Sequence, residues 1–309
     1  PGKATLRRNA VLVRVHSGTT QAMLERHLSW AQELFQSKTS PAIYFAFLID
    51  VTYDETSSLQ TGLQKLCRAR GLEDYIQTFP FTESDMEAAF PVVSELRCAI
   101  PDSREVQDCF TLPCRKSLAW GYHVEAILLW FLQTERQQPA CFEQVWILED
   151  DAGFSGNIVE FIQAYPSRAA ISETSLGDSH GGLCKSAVAD LLATRFEPVT
   201  AGWVWQGACS NAFAAAVPAG RRVRCAEHVQ RWSRRLLQQL LRYSQAGVAA
   251  WSEMSVPSLC HLAGLRIEPL QAEHLGAIFV YNGKVTEQQW HAVCECEAKG
   301  GRWWHALKW

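Results

Sequence analysis

The sequence predicts an α/β fold, a mostly parallel central sheet flanked by helices, from three observations. Asn9 to His16 (NAVLVRVH) is a β-branched run that stops at Ser17-Gly18, and Thr20 to Ser37 follows with helical spacing through Met23, Leu24, Leu28, Ala31 and Leu34. Ala42 to Ile49 (AIYFAFLI) is then almost wholly apolar, the pattern of a strand covered on both faces. Gln144 to Leu148 (QVWIL) repeats that pattern and runs directly into three consecutive carboxylates, Glu149, Asp150 and Asp151. Strand, helix, strand is a βαβ opening, and the acidic triplet sits where open parallel sheets bind ligands, beyond the carboxyl ends of strands.

The remaining elements follow in order. The second strand ends at Asp50-Val51-Thr52-Tyr53-Asp54, where Asp50 and Asp54 are either nucleoside-binding groups or the turn and cap residues that Asp and Thr favour in any case. Ser58 to Arg70 predicts a short helix, Ile76 to Phe81 a strand, and Pro91 to Pro113 a long connector. Arg115 to Thr134 is apolar nearly all round and predicts one buried helix, with Glu125 pointing to a groove edge or pairing with an Arg, a catalytic role being the other reading. After the triplet, Asn157 to Tyr165 regains helical spacing, Ala201 to Gln206 predicts a strand, Ala208 to Val217 a packed small-residue segment, and Arg221 to Tyr243 a long helix. Leu265 to Leu270 and Gly276 to Tyr281 predict two more strands, and Thr286 to Ala298 a last helix stopped by Gly300-Gly301. Without repeats or a low-complexity linker, residues 1–309 are expected to form one compact unit, whose halves divide after Asp151.

Composition narrows the partners. At 309 residues, 48% apolar and 20% charged with net charge −3, the chain is an ordinary globular protein with no basic surplus for binding nucleic acid. Twelve Trp residues supply flat faces that suit a core or a sugar ring. No apolar run approaches the ~20 residues that span a bilayer. A chain opening on Pro1-Gly2 looks trimmed, so a membrane link is expected only through an anchor upstream. Among eleven Cys, the set Cys98, Cys109 and Cys114 is compatible with a loop-stapling disulfide in an oxidising lumen or with reduced thiols.

Three adjacent carboxylates behind a buried strand repel one another and cannot all be desolvated unpaired. A hard divalent cation such as Mg²⁺ or Mn²⁺ removes that cost, because it takes oxygen ligands from one or two carboxylates and fills its shell with water and phosphate. On extended backbone Glu149 and Asp151 face one way and Asp150 the other. Whether Asp150 or Asp151 touches the metal depends on where the strand ends.

The run Val145-Trp146-Ile147-Leu148-Glu149-Asp150-Asp151, with Gly153-Phe154-Ser155-Gly156 behind it, resembles the acidic "DXD" metal motif of GT-A-fold glycosyltransferases, although its first acidic residue is Glu. That resemblance implies a GT-A-like, Rossmann-related fold, with residues 1–151 binding the nucleotide sugar and 152–309 the acceptor. It implies a Mn²⁺ or Mg²⁺ cofactor held by Asp151 and Asp150, and a nucleotide-sugar donor, a UDP-sugar foremost. The acceptor would be a glycan, a protein or a small molecule, and the setting the Golgi lumen, with the cytoplasm as the other expectation.

Two further stretches join the resemblance. Glu253, in Trp251-Ser252-Glu253-Met254, falls where inverting members carry the general base; it is otherwise a first-turn carboxylate with Ser252 as helix cap. Arg302-Trp303-Trp304-His305-Ala306-Leu307-Lys308-Trp309 is similar to the terminal segment whose His completes the metal shell, with Lys308 set to meet a phosphate. His274 and His291 compete with His305. Three Trp residues in eight predict that this tail docks rather than frays.

Other signals are weaker. The arginines of 221–242 would make a basic amphipathic helix or a solvated face, Gly177 to Gly182 a lid or a surface loop, and Cys294-x-Cys296 lacks the second pair of a zinc site. The rival functions are a metal-dependent phosphohydrolase or nucleotidyltransferase, and a silent module that binds sugar nucleotides without turnover.

Overall fold

The computed structural model describes residues 9–37, 43–53, 58–101, 117–139, 141–165, 189–276, 285–296 and 301–308. The chain runs β1 (Asn9–Val15), α1 (Gln21–Gln36), β2 (Ile43–Asp50), α2 (Ser58–Ala69), β3 (Ile76–Phe81), α3 (Glu83–Ala89) and α4 (Val92–Cys98). It continues with α5 (Leu118–Gly121), α6 (His123–Gln137), β4 (Gln144–Glu149), β5 (Gly153–Phe154), α7 (Ile158–Gln163) and β6 (Leu191–Pro198). Next come α8 (Asn211–Ala216), β7 (Val223–Ser233), α9 (Arg234–Gln245), α10 (Ser252–Leu262), β8 (Ile267–Pro269), α11 (Glu287–Cys296) and β9 (Trp303–Trp304).

Seven strands form one sheet in the order β3-β2-β1-β4-β7-β6-β8. β3, β2, β1 and β4 are mutually parallel, and β7 alone runs against its neighbours. Because successive side chains alternate, β1 sends Ala10 and Leu12 into one core and Val11, Val13 and Val15 into the other. The first core lies under α6 and α10, with Ile147, Trp130 and Trp251; the second lies under α1 and α7, with Trp146, Phe47 and Phe161. Covered on both faces, these strands need the near-continuous apolar runs seen in the sequence. α1 starts where Thr20 Oγ1 accepts from Met23 N at 3.2 Å, and it buries Leu24, Leu28 and Leu34 against the sheet.

Several expectations are corrected. Arg221 to Tyr243 is not one helix: residues 223–233 form β7, and only at Ser233, whose Oγ accepts from Leu236 N at 3.0 Å, does α9 begin. Pairing with both β4 and β6 outweighs the local helical spacing. The basic amphipathic helix dissolves with it, since Arg231 is wholly buried on the strand and donates to the Tyr165 carbonyl at 2.9 Å. Ala201 to Gln206 is a run of turns, closed by Gln206 N donating to Trp203 O at 3.1 Å, while the neighbouring strand β6 was not expected. The helix expected over Arg115 to Thr134 breaks at Tyr122, and the connector after Pro91 contains α4. Glu125 neither edges a groove nor pairs with Arg; it is fully buried and accepts from Ser244 Oγ at 2.8 Å. Cys98 is a free, exposed thiol. Cys109, Cys114, the Gly177 to Gly182 loop and most of the strand expected over Gly276 to Tyr281 lie outside the described residues.

Candidate active site

β1, β2 and β4 deliver their carboxyl ends to one rim of the sheet, and the cleft there holds about 240 Å³. Asp50, Glu149, Asp150, Asp151, Glu253, His305 and Lys308 all line it, together with Arg14, His16, Trp120, His123, Glu227 and His228. Asp54 lies outside the described residues.

The strand ends at Glu149, and Asp150 and Asp151 lie in the turn that follows it. Glu149 and Asp151 converge on His305, whose Nε2 is 3.5 Å from Glu149 Oε2 and 3.1 Å from Asp151 Oδ1. Asp150 turns the other way, accepts a hydrogen bond from Thr19 Oγ1, and lies 3.6 Å from His16 Nε2. Its backbone is held as well, by His27 Nε2 at 2.9 Å from the carbonyl. Burial pushes the His27 pKa down to about 3, so the ring is neutral and acts as a fixed donor.

Glu149 sits opposite Arg14 in the β1–β4 register, and Arg14 Nη2 donates to its Oε1 at 2.5 Å. His228, on β7, pairs with the other oxygen. Burial alone would raise the Glu149 pKa, but His228, Arg14 and His305 outweigh it and hold the carboxyl well below its usual range. Asp151 is likewise held down, against burial, by His305 and Lys308. Asp150 is not: burial, with the charge of Asp151 beside it, pushes its carboxyl up. Asp150 is therefore the weaker anion of the three, and its side chain stands apart from the Glu149 and Asp151 pair.

The tail docks as its aromatic content predicts. β9 pairs antiparallel with β5, Trp303 and Leu307 are fully buried, and Leu307 N donates to the Asp151 carbonyl at 2.8 Å. The crossing depends on two glycines. A Cβ on Gly301 would lie 2.0 Å from Gly156 N, and one on Gly156 would lie 2.4 Å from Gly301 Cα. Lys308 is thereby placed with Nζ 3.5 Å from Asp151 Oδ2.

His228 and His305 stack with ring centroids 3.5 Å apart, and Glu149, His228 and His305 offer ligand atoms within 4.8 Å of one another. Two imidazoles and two ionised carboxylates fit a divalent cation, so Glu149, Asp151, His228 and His305 are the residues that could hold one. Of the competing histidines, His274 is bonded to the Tyr165 hydroxyl at 2.8 Å and His291 is exposed on α11, 3.8 Å from Glu287.

Glu253 lies in the first turn of α10, where Trp251 occupies the cap position; Ser252 instead accepts from Val124 N at 3.4 Å. Burial, reinforced by the charge of Glu149, raises the Glu253 pKa to about 8. A half-buried carboxyl poised there can exchange a proton near neutrality. Asp50 accepts from Thr52 N at 3.0 Å and from Ser117 Oγ, so it closes its own turn and also fastens the start of α5 to the rim.

Sequence reasoning missed Arg14, His123, Glu227 and His228. Arg14 left a signal, a lone charge inside an apolar strand. His123 was hidden inside a segment read as a buried helix, and Glu227 and His228 inside the helix expected over residues 221–243.

No protein-family model matches the sequence, and no curated protein matches it either. Solved GT-A-type glycosyltransferases are among the structures that the fold resembles. Mouse xyloside xylosyltransferase 1 in its apo form superposes with a TM-score of 0.41 at 12% identity, over 97% of this chain and 97% of that one. The galactosyltransferase LgtC, in complex with donor and acceptor sugar analogs, gives a TM-score of 0.39 at 10% identity, over 94% of this chain and 78% of its own. A nucleoside-diphosphate-sugar pyrophosphorylase from Vibrio cholerae gives 0.37 at 11%, over 84% and 90% respectively.

Proposed function

We propose that this chain is a GT-A-fold glycosyltransferase that moves a sugar from a nucleotide-sugar donor to an acceptor hydroxyl with a divalent cation, and inverts the sugar carbon. The observation that supports it most is the convergence of Glu149, Asp151, His228, His305 and Lys308 at the carboxyl end of β4, brought about by a tail that folds back to complete the site. A cation bound there would neutralise negative charge on the departing nucleoside diphosphate. The imidazoles favour a transition metal such as Mn²⁺ over Mg²⁺, and a UDP-sugar is the donor we put first.

The protein's own groups divide the work. Arg14 keeps Glu149 ionised and oriented, and His27 pins the backbone of Asp150. Lys308, half exposed at the mouth, binds a phosphate oxygen. Asp50 at the end of β2 serves the nucleoside. Glu253 accepts the proton of the acceptor hydroxyl as the new oxygen–carbon bond forms, while the bond from the sugar carbon to the diphosphate breaks and its electron pair leaves with the diphosphate.

Incubation with a panel of sugar nucleotides and Mn²⁺ tests the proposal. Release of nucleoside diphosphate that depends on the sugar supports transfer. Release of nucleoside monophosphate together with sugar 1-phosphate would make the protein a phosphohydrolase, formation of nucleoside triphosphate and sugar 1-phosphate when pyrophosphate is added a nucleotidyltransferase, and binding without turnover a silent module.

A further inference from the structure

Four elements, α5, α6, β7 and α10, each give a side chain to the cleft: Trp120, His123, Glu227 and Glu253. Trp120 is half-buried and lines it. Its ring is fixed edge-on by Trp251, at 5.4 Å and 79°, and by Trp205, at 6.2 Å and 71°. Those two are themselves stacked, 3.5 Å apart and 11° from parallel. Gly121 makes this packing possible, since a Cβ there would fall 2.1 Å from the Trp251 ring. Three indoles thus hold one aromatic surface rigidly at the cleft wall, with little entropy left to lose when something binds to it.

The cleft also carries groups that can hydrogen-bond to hydroxyls. Glu253 and Glu227 line it, and His123 Nδ1 lies 3.3 Å from Glu227 Oε2. Burial holds the His123 ring neutral. A carboxyl oxygen, ionised or not, and a neutral imidazole nitrogen accept hydrogen bonds from hydroxyls. A ligand that offers an apolar C–H face on one side and several hydroxyls on its edge satisfies both features.

We infer that Trp120 is the platform of an acceptor subsite for a neutral pyranoside, whose apolar face rests on the indole while its hydroxyls meet Glu227, His123 and Glu253. The inference rests on the glycosyltransferase reading and adds the acceptor class to it. A serine- or threonine-bearing peptide, the other source of a hydroxyl, has no flat C–H face to offer this ring.

The test uses the full chain with Mn²⁺, a panel of sugar nucleotides, and two sets of acceptors: methyl pyranosides, and a Ser/Thr-rich peptide. Expected is transfer to a pyranoside by the wild type. Trp120→Leu should raise the pyranoside KM roughly ten-fold or more while leaving the donor KM near its wild-type value. Trp120→Phe, which keeps a ring, should fall between the two. Saturation-transfer NMR on the wild type should show the pyranoside C–H protons in contact with protein, and that signal should weaken in Trp120→Leu at unchanged melting temperature. Should Trp120→Leu fail to fold, the wild-type NMR contact and the Phe variant still decide. Transfer to the peptide alone, a pyranoside KM indifferent to Trp120, or a rise in donor KM instead would overturn the subsite and leave the glycosyltransferase standing. No turnover of any sugar nucleotide would overturn both.

Discussion

His228 and His305 lie ring on ring beside Glu149, so the candidate metal centre offers nitrogen as well as oxygen. Mg²⁺ seldom accepts imidazole, whereas transition metals do. Mn²⁺ should therefore bind more tightly than Mg²⁺, and His228→Ala should cost at least about ten-fold in Mn²⁺ affinity, read by calorimetry or electron paramagnetic resonance. Equal affinities for the two ions in the wild type would count against the imidazoles as ligands. Glu253 gives a second prediction. Its pKa is raised to about 8 by burial and by Glu149, and a base must be ionised to act, so the rate should climb with pH through an acidic limb. A cation bound next to Glu149 opposes that like charge, which moves the limb below 8 when the site is loaded. Glu253→Gln should lower kcat by about 10²–10⁴-fold and abolish the limb. Survival of the limb in that variant would assign the base to another group.

At the scale of elements, the site depends on a tail docked far along the chain from the strand it completes. Gly156 and Gly301 touch backbone to backbone where β5 and β9 pair, and neither touches a ligand atom. Gly156→Ala should push the tail off β5, cost at least about 1–3 kcal/mol of stability, and weaken Mn²⁺ binding by withdrawing His305. Thermal melts and metal titration measured together check this; intact metal affinity in a destabilised variant would separate His305 from the site. The docking was legible in the sequence, because a terminal segment rich in Trp has no reason to stay in water. The βαβ opening and the acidic triplet were legible for a related reason: strands covered on both faces write themselves as unbroken apolar runs. β7 was not. Its eleven residues mix Arg, Glu, His and Gln with apolar positions, since a strand inserted antiparallel between β4 and β6 beside a polar cleft must carry the residues that line it. That is a property of its neighbours, invisible in a local window, and His228 and Glu227 were lost with it.

For the whole molecule, two buried titratable groups set opposite edges to the pH range of stability. His27, depressed by burial from 6.5 to about 3, binds its proton more readily in the unfolded chain. The stability it contributes is present above pH 6.5 and is lost as pH falls toward 3. Glu125 acts in the other direction. Burial raises its carboxyl from 4.5 to about 7, so the folded chain keeps a proton that the unfolded chain releases. Its contribution is complete below pH 4.5 and is lost as pH rises through 7. A shift of that size corresponds to about 3 kcal/mol across the window. Glutamine at 125 preserves the oxygen that accepts from Ser244 and carries no charge to desolvate. Glu125→Gln should therefore be more stable than wild type at pH 8, by up to about 3 kcal/mol, and no more stable at pH 4. Denaturant unfolding at the two pH values measures the difference directly. A gain of equal size at both would mean that Gln merely packs better, and that Glu125 is not the group whose ionisation erodes the fold as pH rises.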